Sequence, residues 1–158
     1  MKKRSFPKGL NKSIVKELSQ IKGEPLWMTE FRVRSYETFV SKALPDWGPD
    51  LSNLDFQDIH YYIYPGEMVN DWSDVPSEIK ETFDQLGIPE HEKKFLAGVS
   101  TQYESEIVYH NLHERYADSG IIFDSIDEGL KKFPKIFKQY FGKLIPPEDN
   151  IMAALNSA

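Results

Sequence analysis

Histidine and carboxylate side chains are the groups in this sequence that could do metal or acid–base chemistry near neutral pH. His110 and His113, in the run H-N-L-H, have Glu106 and Glu114 nearby, and residues of these types can ligate a zinc ion. The spacing fixes no third ligand, and His110 ends a predicted strand, so the two rings need not share a face. We therefore assign no metal ligand and interpret all four histidines as structural or exposed: His60, His91, His110 and His113.

Other catalytic signatures are missing from the sequence. The chain has no cysteine, which excludes disulfides, thiol nucleophiles and any iron–sulfur cluster held by its own sulfurs. It has no nucleophile elbow, phosphate-binding glycine loop or dinucleotide fingerprint. Its 25 carboxylates are scattered over predicted helix surfaces, and no pair stands out as an acid–base dyad. We predict a protein that is not an enzyme, with no catalytic, cofactor-binding or metal-binding residue.

Charge is unevenly distributed along the chain. Residues 1–22 hold seven Lys or Arg and one Glu, whereas the chain as a whole carries a net charge of −6. Such a basic leader could contact nucleic acid or anionic lipid, but it lacks interleaved aromatic residues, so a solvated end is favoured. The sequence shows neither a secretory signal nor an apolar run of about 18–20 residues. We predict a cytoplasmic protein with no nucleic-acid or membrane partner.

Apolar spacing and breaker residues predict the elements of the first half. Apolar residues recur at helical spacing up to Gly23, which indicates a first helix. Pro25 suits the start of a second helix, at about 25–44. In it, Trp27 and Phe31 lie four residues apart and are expected to anchor the core between the two helices. Aromatic and β-branched residues at 59–64 predict a strand.

The second half alternates short helices and strands. Proline starts, glycine ends and a capping box at Ser125–Glu128 predict helices at 76–87, 89–98, 111–120, 126–133 and 134–142. Strands are predicted at 102–110 and, as a short buried strand, at 121–123. The fold class is therefore α+β, mostly helical with a few short strands.

Four blocks of the sequence, in order, resemble the SufB family. The first, "GLNKSIVKELSQIKGEPLWMTEFRVRSYETF" (9–39), contains the family's E-P-x-W-M-x-E-F-R signature, and "LDFQDIHYYIYP" (54–65) is similar to its D-x-Q-D-x-x-Y-Y segment. The others are "VPSEIKETFDQLGIPEHEKKFLAGVSTQYESEIVYHN" (75–111) and "SGIIFDSIDEGLKKFPKIFKQYFGKLIPPEDNIMAALNSA" (119–158). The resemblance spans residues 9–158 without large gaps.

The resemblance implies a scaffold role in iron–sulfur cluster assembly. SufB proteins work in the SUF system with the ATPase SufC and the related subunit SufD. In that family a largely helical N-terminal domain precedes a long β-helix and a C-terminal helical domain. The expected organisation is a flexible basic leader at 1–8, a SufB-like N-terminal domain at 9–145, and the start of an absent β-helix core at 146–158. The main SufC and SufD contact regions would then lie outside this chain.

The sequence also departs from the family pattern. Some members carry a cysteine cluster after the Y-Y segment, but "IYPGEMVNDWSDVP" (63–76) has none, so no residue used in cluster assembly can be carried over. The resemblance thus predicts a non-catalytic N-terminal fragment of a scaffold with no cofactor of its own. A free-standing protein-interaction module derived from the same domain is the alternative.

The last ten residues, "DNIMAALNSA", contain an apolar run at 151–155. A short run after Pro146-Pro147 does not support a stable helix by itself. If the strands of a β-helix are absent, this tail is expected to be mobile, to fold back on the domain, or to dock on a neighbouring molecule.

Overall fold

A computed structural model describes residues 4–64, 72–85, 87, 98–103, 105–112, 116 and 118–158. The chain forms two compact units. The first, called here the helical unit, comprises residues 7–60 and 126–158; the second, the β-containing unit, comprises residues up to 6 and 61–125. Across the described residues the fold is α+β, mostly helical with a few short strands, as the sequence predicts.

The helical unit begins with two helices joined by a tight turn. Helix α1 spans Lys12–Ile21, and the side chain of Asn11 caps it by accepting hydrogen bonds from backbone N–H groups of the first turn. Gly23 then takes a φ of +64°, a left-handed conformation that glycine adopts without steric cost. Helix α2 follows at Leu26–Ser41, directly after Pro25. Both helices and the glycine stop confirm the sequence prediction.

The core between α1 and α2 is centred on different residues from those predicted. Val15 and Met28 are fully buried, and Met28 is the largest completely enclosed side chain among the described residues. Trp27 and Phe31, the predicted anchors, are only partly buried. Met28 directly follows Trp27, so the face of α2 turned toward α1 is rotated by about 100° from the predicted one.

Three shorter helices complete the helical unit. Helix α4 spans Ile126–Lys132, as its capping box predicts, and helix α5 spans Pro134–Tyr140. A Cβ atom on Gly129 of α4 would lie 2.5 Å from the ring of Phe137, so α4 and α5 approach closely because this position is glycine. Gly142, with a φ of +67°, follows α5 as predicted.

Residues 151–157 form helix α6 (Ile151–Ser157), which packs against α2. Asn150 caps it by accepting hydrogen bonds from two backbone N–H groups, and Ile151 and Ala154 are buried with Phe39 of α2. Of the three outcomes expected for the tail, the structure shows the one in which it folds back on the domain. Tertiary packing supplies the stability that this short helix would lack alone.

The β-containing unit holds two small antiparallel sheets. Strands β1 (Arg4–Ser5) and β2 (Ile63–Tyr64) pair with each other, and strands β3 (Gly98–Tyr103) and β4 (Glu106–Leu112) form a hairpin. Helix α3 (Ser77–Gln85) lies between the sheets in sequence and, with Gly87 after it, confirms the predicted helix.

Two predicted strands differ from the structure. Among the described residues the strand predicted at 59–64 is reduced to Ile63–Tyr64, which pairs with Arg4–Ser5 of β1. The strand predicted at 102–110 is two strands, since the chain turns at Ser105. The backbone N–H of Ser105 donates to the carbonyl of Ile63, and the hydroxyl of Ser105 accepts a hydrogen bond from the backbone N–H of Ile63. These two bonds fix the turn beside β2.

Three further predictions are wrong or lie at least partly outside the described residues. Residues 121–123 form no strand, and their apolar side chains are exposed, because within the described chain no strand pairs with them. The helix predicted at 111–120 is contradicted at 111–112, which belong to β4. Of its other residues only 116 and 118–120 are described, Tyr116 as helix and 118–120 as a turn. The helix predicted at 89–98 lies outside the described residues apart from Gly98, the first residue of β3.

The predicted leader has a defined conformation at residues 4–6. Arg4 pairs with Tyr64 in the first sheet. Phe6 is buried, and its ring packs edge-on against the ring of Tyr62, with 5.7 Å between the two ring centroids. Strand pairing and an aromatic contact thus hold a segment expected to be flexible. The division of the chain at 1–8, 9–145 and 146–158 remains a prediction.

Candidate functional site

A cleft lined by several charged residues lies beside the α1–α2 turn in the helical unit. It has a volume of about 230 Å³, and its lining includes Lys22, Glu24, Pro25, Asp127, Leu130 and Pro134. The turn at Gly23 and the start of α4 bring these residues together from positions about a hundred apart in sequence. The cleft is therefore a product of tertiary packing.

Ion pairs neutralise the cleft's main charges. Lys22 Nζ lies 2.6 Å from Asp127 Oδ2, and both side chains are largely buried. Arg32 donates from Nε and Nη2 to the two carboxylate oxygens of Glu24, at 2.8 and 2.7 Å. Each of these charged side chains is paired with an opposite charge. The pairs therefore resemble structural contacts between helices more than an acid–base site.

The E-P-x-W-M-x-E-F-R signature coincides with this joint. Glu24 and Arg32, its first and last residues, form the two-bond ion pair, and Pro25 precedes the first turn of α2. Met28 is the buried centre of the α1–α2 contact, and Phe31 meets Phe141 edge-on with 5.3 Å between ring centroids. The residues that carry the resemblance are thus packing and pairing residues of the helical unit.

The structure does not assemble the histidines into a metal site among the described residues. His60 is exposed, and His110 lies within β4. His91, His113 and Glu114 lie outside the described residues. Over the described ranges, no group of three or more potential ligands could hold a metal ion. The prediction that no metal ligand can be assigned therefore remains a prediction.

Two carboxylates titrate below their ordinary range. A hydrogen bond from Lys8 and the positive charge of that residue lower the pKa of Asp58, and a backbone hydrogen bond from Ser52 is the main cause that lowers the pKa of Asp50. Both carboxyl groups lie on the surface, and each cause is a local contact. These shifts therefore do not indicate an active site.

The basic stretch at residues 1–22 is partly neutralised by ion pairs. Lys8 contacts Asp58 at 2.7 Å, and Lys12 contacts Glu37 at 2.6 Å. Lys22, the last cation of the basic stretch, is paired with Asp127. That the chain has no nucleic-acid partner remains a prediction. No helix in the described ranges has the length and apolar character needed to cross a membrane.

Comparison with known proteins gives a family. No family model matches the chain. The iron–sulfur cluster assembly protein SufB of Bacillus subtilis is 53% identical over 152 residues, which are 96% of this chain and 33% of SufB. SufBD family iron–sulfur cluster assembly proteins of Staphylococcus saprophyticus and Staphylococcus aureus are 52% and 51% identical over the same shares.

The chain therefore spans about a third of the length of the curated relatives it matches. Identity above one half across almost the whole chain confirms the resemblance seen in the four sequence blocks. Over the third of their length that it spans, this chain is similar to SufB and SufBD family iron–sulfur cluster assembly proteins.

Proposed function

We propose that this chain serves as the N-terminal domain of a SufB-type scaffold for iron–sulfur cluster assembly and is not catalytic by itself. The observation that supports the proposal is the 53% identity with B. subtilis SufB over 96% of the chain. The same likeness favours a scaffold domain over a free-standing interaction module. The helical unit, with its ion-paired joint at the family signature, is the part that we expect to be shared with those relatives.

The proposal extends to location and partners. A SufB-type scaffold would act in the cytoplasm with the ATPase SufC and the related subunit SufD. We expect their main contact regions to belong to the β-helix and the parts that follow it, outside this chain. In this proposal the present chain contributes a folded N-terminal domain to that assembly and does not bind the cluster itself.

A domain exchange tests this proposal. The matching third of B. subtilis SufB is replaced by this chain, and the chimera is expressed in a strain depleted of its own SufB. We expect the chimera to restore the activity of iron–sulfur enzymes, since over half of the exchanged residues are identical. A chimera that accumulates to the level of native SufB yet restores no activity would contradict the proposal.

Cluster binding by the isolated chain is a second test. We expect anaerobic incubation with iron and sulfide, followed by desalting, to leave no charge-transfer absorbance on the protein. The reason is that thiolates are the usual ligands of such clusters and the chain has no cysteine. Full-length B. subtilis SufB, treated in parallel, is the comparison protein. A stoichiometric cluster retained by this chain would show that the domain itself holds the cargo.

A further inference from the structure

Helix α5 carries apolar side chains on two faces, and only one of them is packed within the helical unit. Phe137 and Phe141, four residues apart, lie on the inner face. Phe137 contacts the α4 backbone at Gly129, and Phe141 packs edge-on against Phe31. Phe137, within α5, and Phe141, directly after it, thus both contact neighbouring parts of the helical unit.

The outer face of α5 is apolar and exposed. Ile136 and Tyr140, also four residues apart, are 48% and 65% exposed. Leu144 and Ile145, in the turn that follows the helix, are 96% and 65% exposed. Single exposed apolar residues are ordinary, but four large ones within ten residues form a local cluster that calls for an explanation.

The stretch of sequence that holds this cluster is rich in lysine. Residues 129–147 contain five lysines and no carboxylate, in a chain whose net charge is −6. Lys131 and Lys132 contact Glu128. Lys135, Lys138 and Lys143 are exposed, and no ion pair to them is found among the described residues. We call Ile136, Tyr140, Leu144 and Ile145, with these three lysines, the lysine–apolar surface.

We propose that the lysine–apolar surface docks an acidic protein segment that also presents apolar side chains. Carboxylates of such a segment would pair with the three lysines, while its apolar residues would cover Tyr140 and Leu144. Charge complementarity of this kind gives orientation and a fast association rate, and the apolar centre supplies affinity. The proposal rests on charge and exposure and does not depend on the proposed function.

An anionic membrane and a nucleic acid fit the surface less well. The part of the chain outside 129–147 carries a net charge of −11, because that segment contributes +5 to a total of −6. An extended polyanion would therefore be repelled by most of the protein, whereas a short acidic segment reaches only the basic patch. Tyr140 is the single aromatic residue of the surface, and successive bases need several such platforms.

Fluorescence anisotropy with the full chain tests the proposal. The probe is a labelled helical peptide with glutamate on one face and leucine on the other. Three competitors are compared with it: the same peptide with glutamine for glutamate, vesicles of phosphatidylcholine and phosphatidylglycerol, and single-stranded oligothymidine. We expect saturable, salt-sensitive binding of the acidic peptide, and weaker competition by all three of the others.

Charge reversal locates the binding site. The triple variant Lys135→Glu, Lys138→Glu, Lys143→Glu should weaken binding by about tenfold or more, because it replaces attraction by repulsion at each contact. The matched control is Lys16→Glu, Arg34→Glu, Lys42→Glu, which changes the net charge equally in other parts of the helical unit and should weaken binding by about twofold at most.

A second variant tests the apolar part of the surface. Leu144→Ser with Ile145→Ser should weaken binding by about fivefold without altering the far-UV circular dichroism spectrum, since both side chains are exposed. Three results would overturn the proposal: no binding of the acidic peptide, equal loss in the two charge-reversal variants, or tighter binding of the vesicles or the oligonucleotide.

Discussion

Arg32→Ala is expected to lower the free energy of unfolding of the helical unit by about 3–5 kcal/mol. The Glu24 side chain is only 1% exposed, and Arg32 holds both of its carboxylate oxygens. Without the guanidinium, that carboxylate would remain buried without its partner, and an unpaired buried charge is costly. Arg32 also donates from Nη1 to the backbone carbonyl of Ala158, at 3.3 Å, so the same change loosens the end of α6.

Urea unfolding followed by far-UV circular dichroism measures the effect. Arg34→Ala is the matched control, since Arg34 lies two residues further along α2 and is exposed; its cost should stay within about 0.5 kcal/mol. The double variant Glu24→Met, Arg32→Met should be more stable than Arg32→Ala, because it removes both charges together. Equal stability of Arg32→Ala and Arg34→Ala would mean that the pair contributes little to the fold.

Met28→Ala is expected to cost about 2–5 kcal/mol, because it leaves a cavity at the centre of the α1–α2 contact. Met28 is fully enclosed, whereas its neighbour Leu26 is 73% exposed. Met28→Leu, which nearly conserves volume, should cost less than about 1.5 kcal/mol.

Two comparisons make the Met28 prediction specific. Leu26→Ala is the exposed control on the same helix and should have almost no effect on the urea midpoint. Trp27→Ala should cost less than Met28→Ala, because Trp27 is only partly buried. A larger loss for Trp27→Ala would restore the sequence-based view that Trp27 and Phe31 anchor this core.

Elements whose limits are set by local chemistry could be predicted from the amino-acid sequence. Gly23 ends the first helical segment because glycine tolerates the left-handed conformation, and the capping box at Ser125–Glu128 marks the start of α4. Such signals act between residues a few positions apart, so they can be recognised without knowledge of the tertiary structure. The resemblance to the SufB family could also be recognised from the sequence, because the nine-residue signature lies in one continuous segment.

Strand positions depended on partners that are distant in sequence. Nothing near Tyr64 indicates that β2 pairs with Arg4, or that the pairing lasts for only two residues. The residues 121–123 have the composition of a buried strand but are exposed, because composition does not supply a neighbouring strand. The turn at Ser105 was missed for the same reason, since its fixing contact is with Ile63.

Which apolar residues form the core depends on tertiary packing. Ile136 and Phe137 are adjacent in sequence and similar in hydrophobicity, yet Phe137 meets Gly129 while Ile136 faces solvent. Glu24 and Arg32 were visible as parts of a signature, but their ion pair exists because the α1–α2 turn brings them within 3 Å. Local propensity fixes where a helix begins and ends; the face that it buries is fixed by what the rest of the chain packs against it.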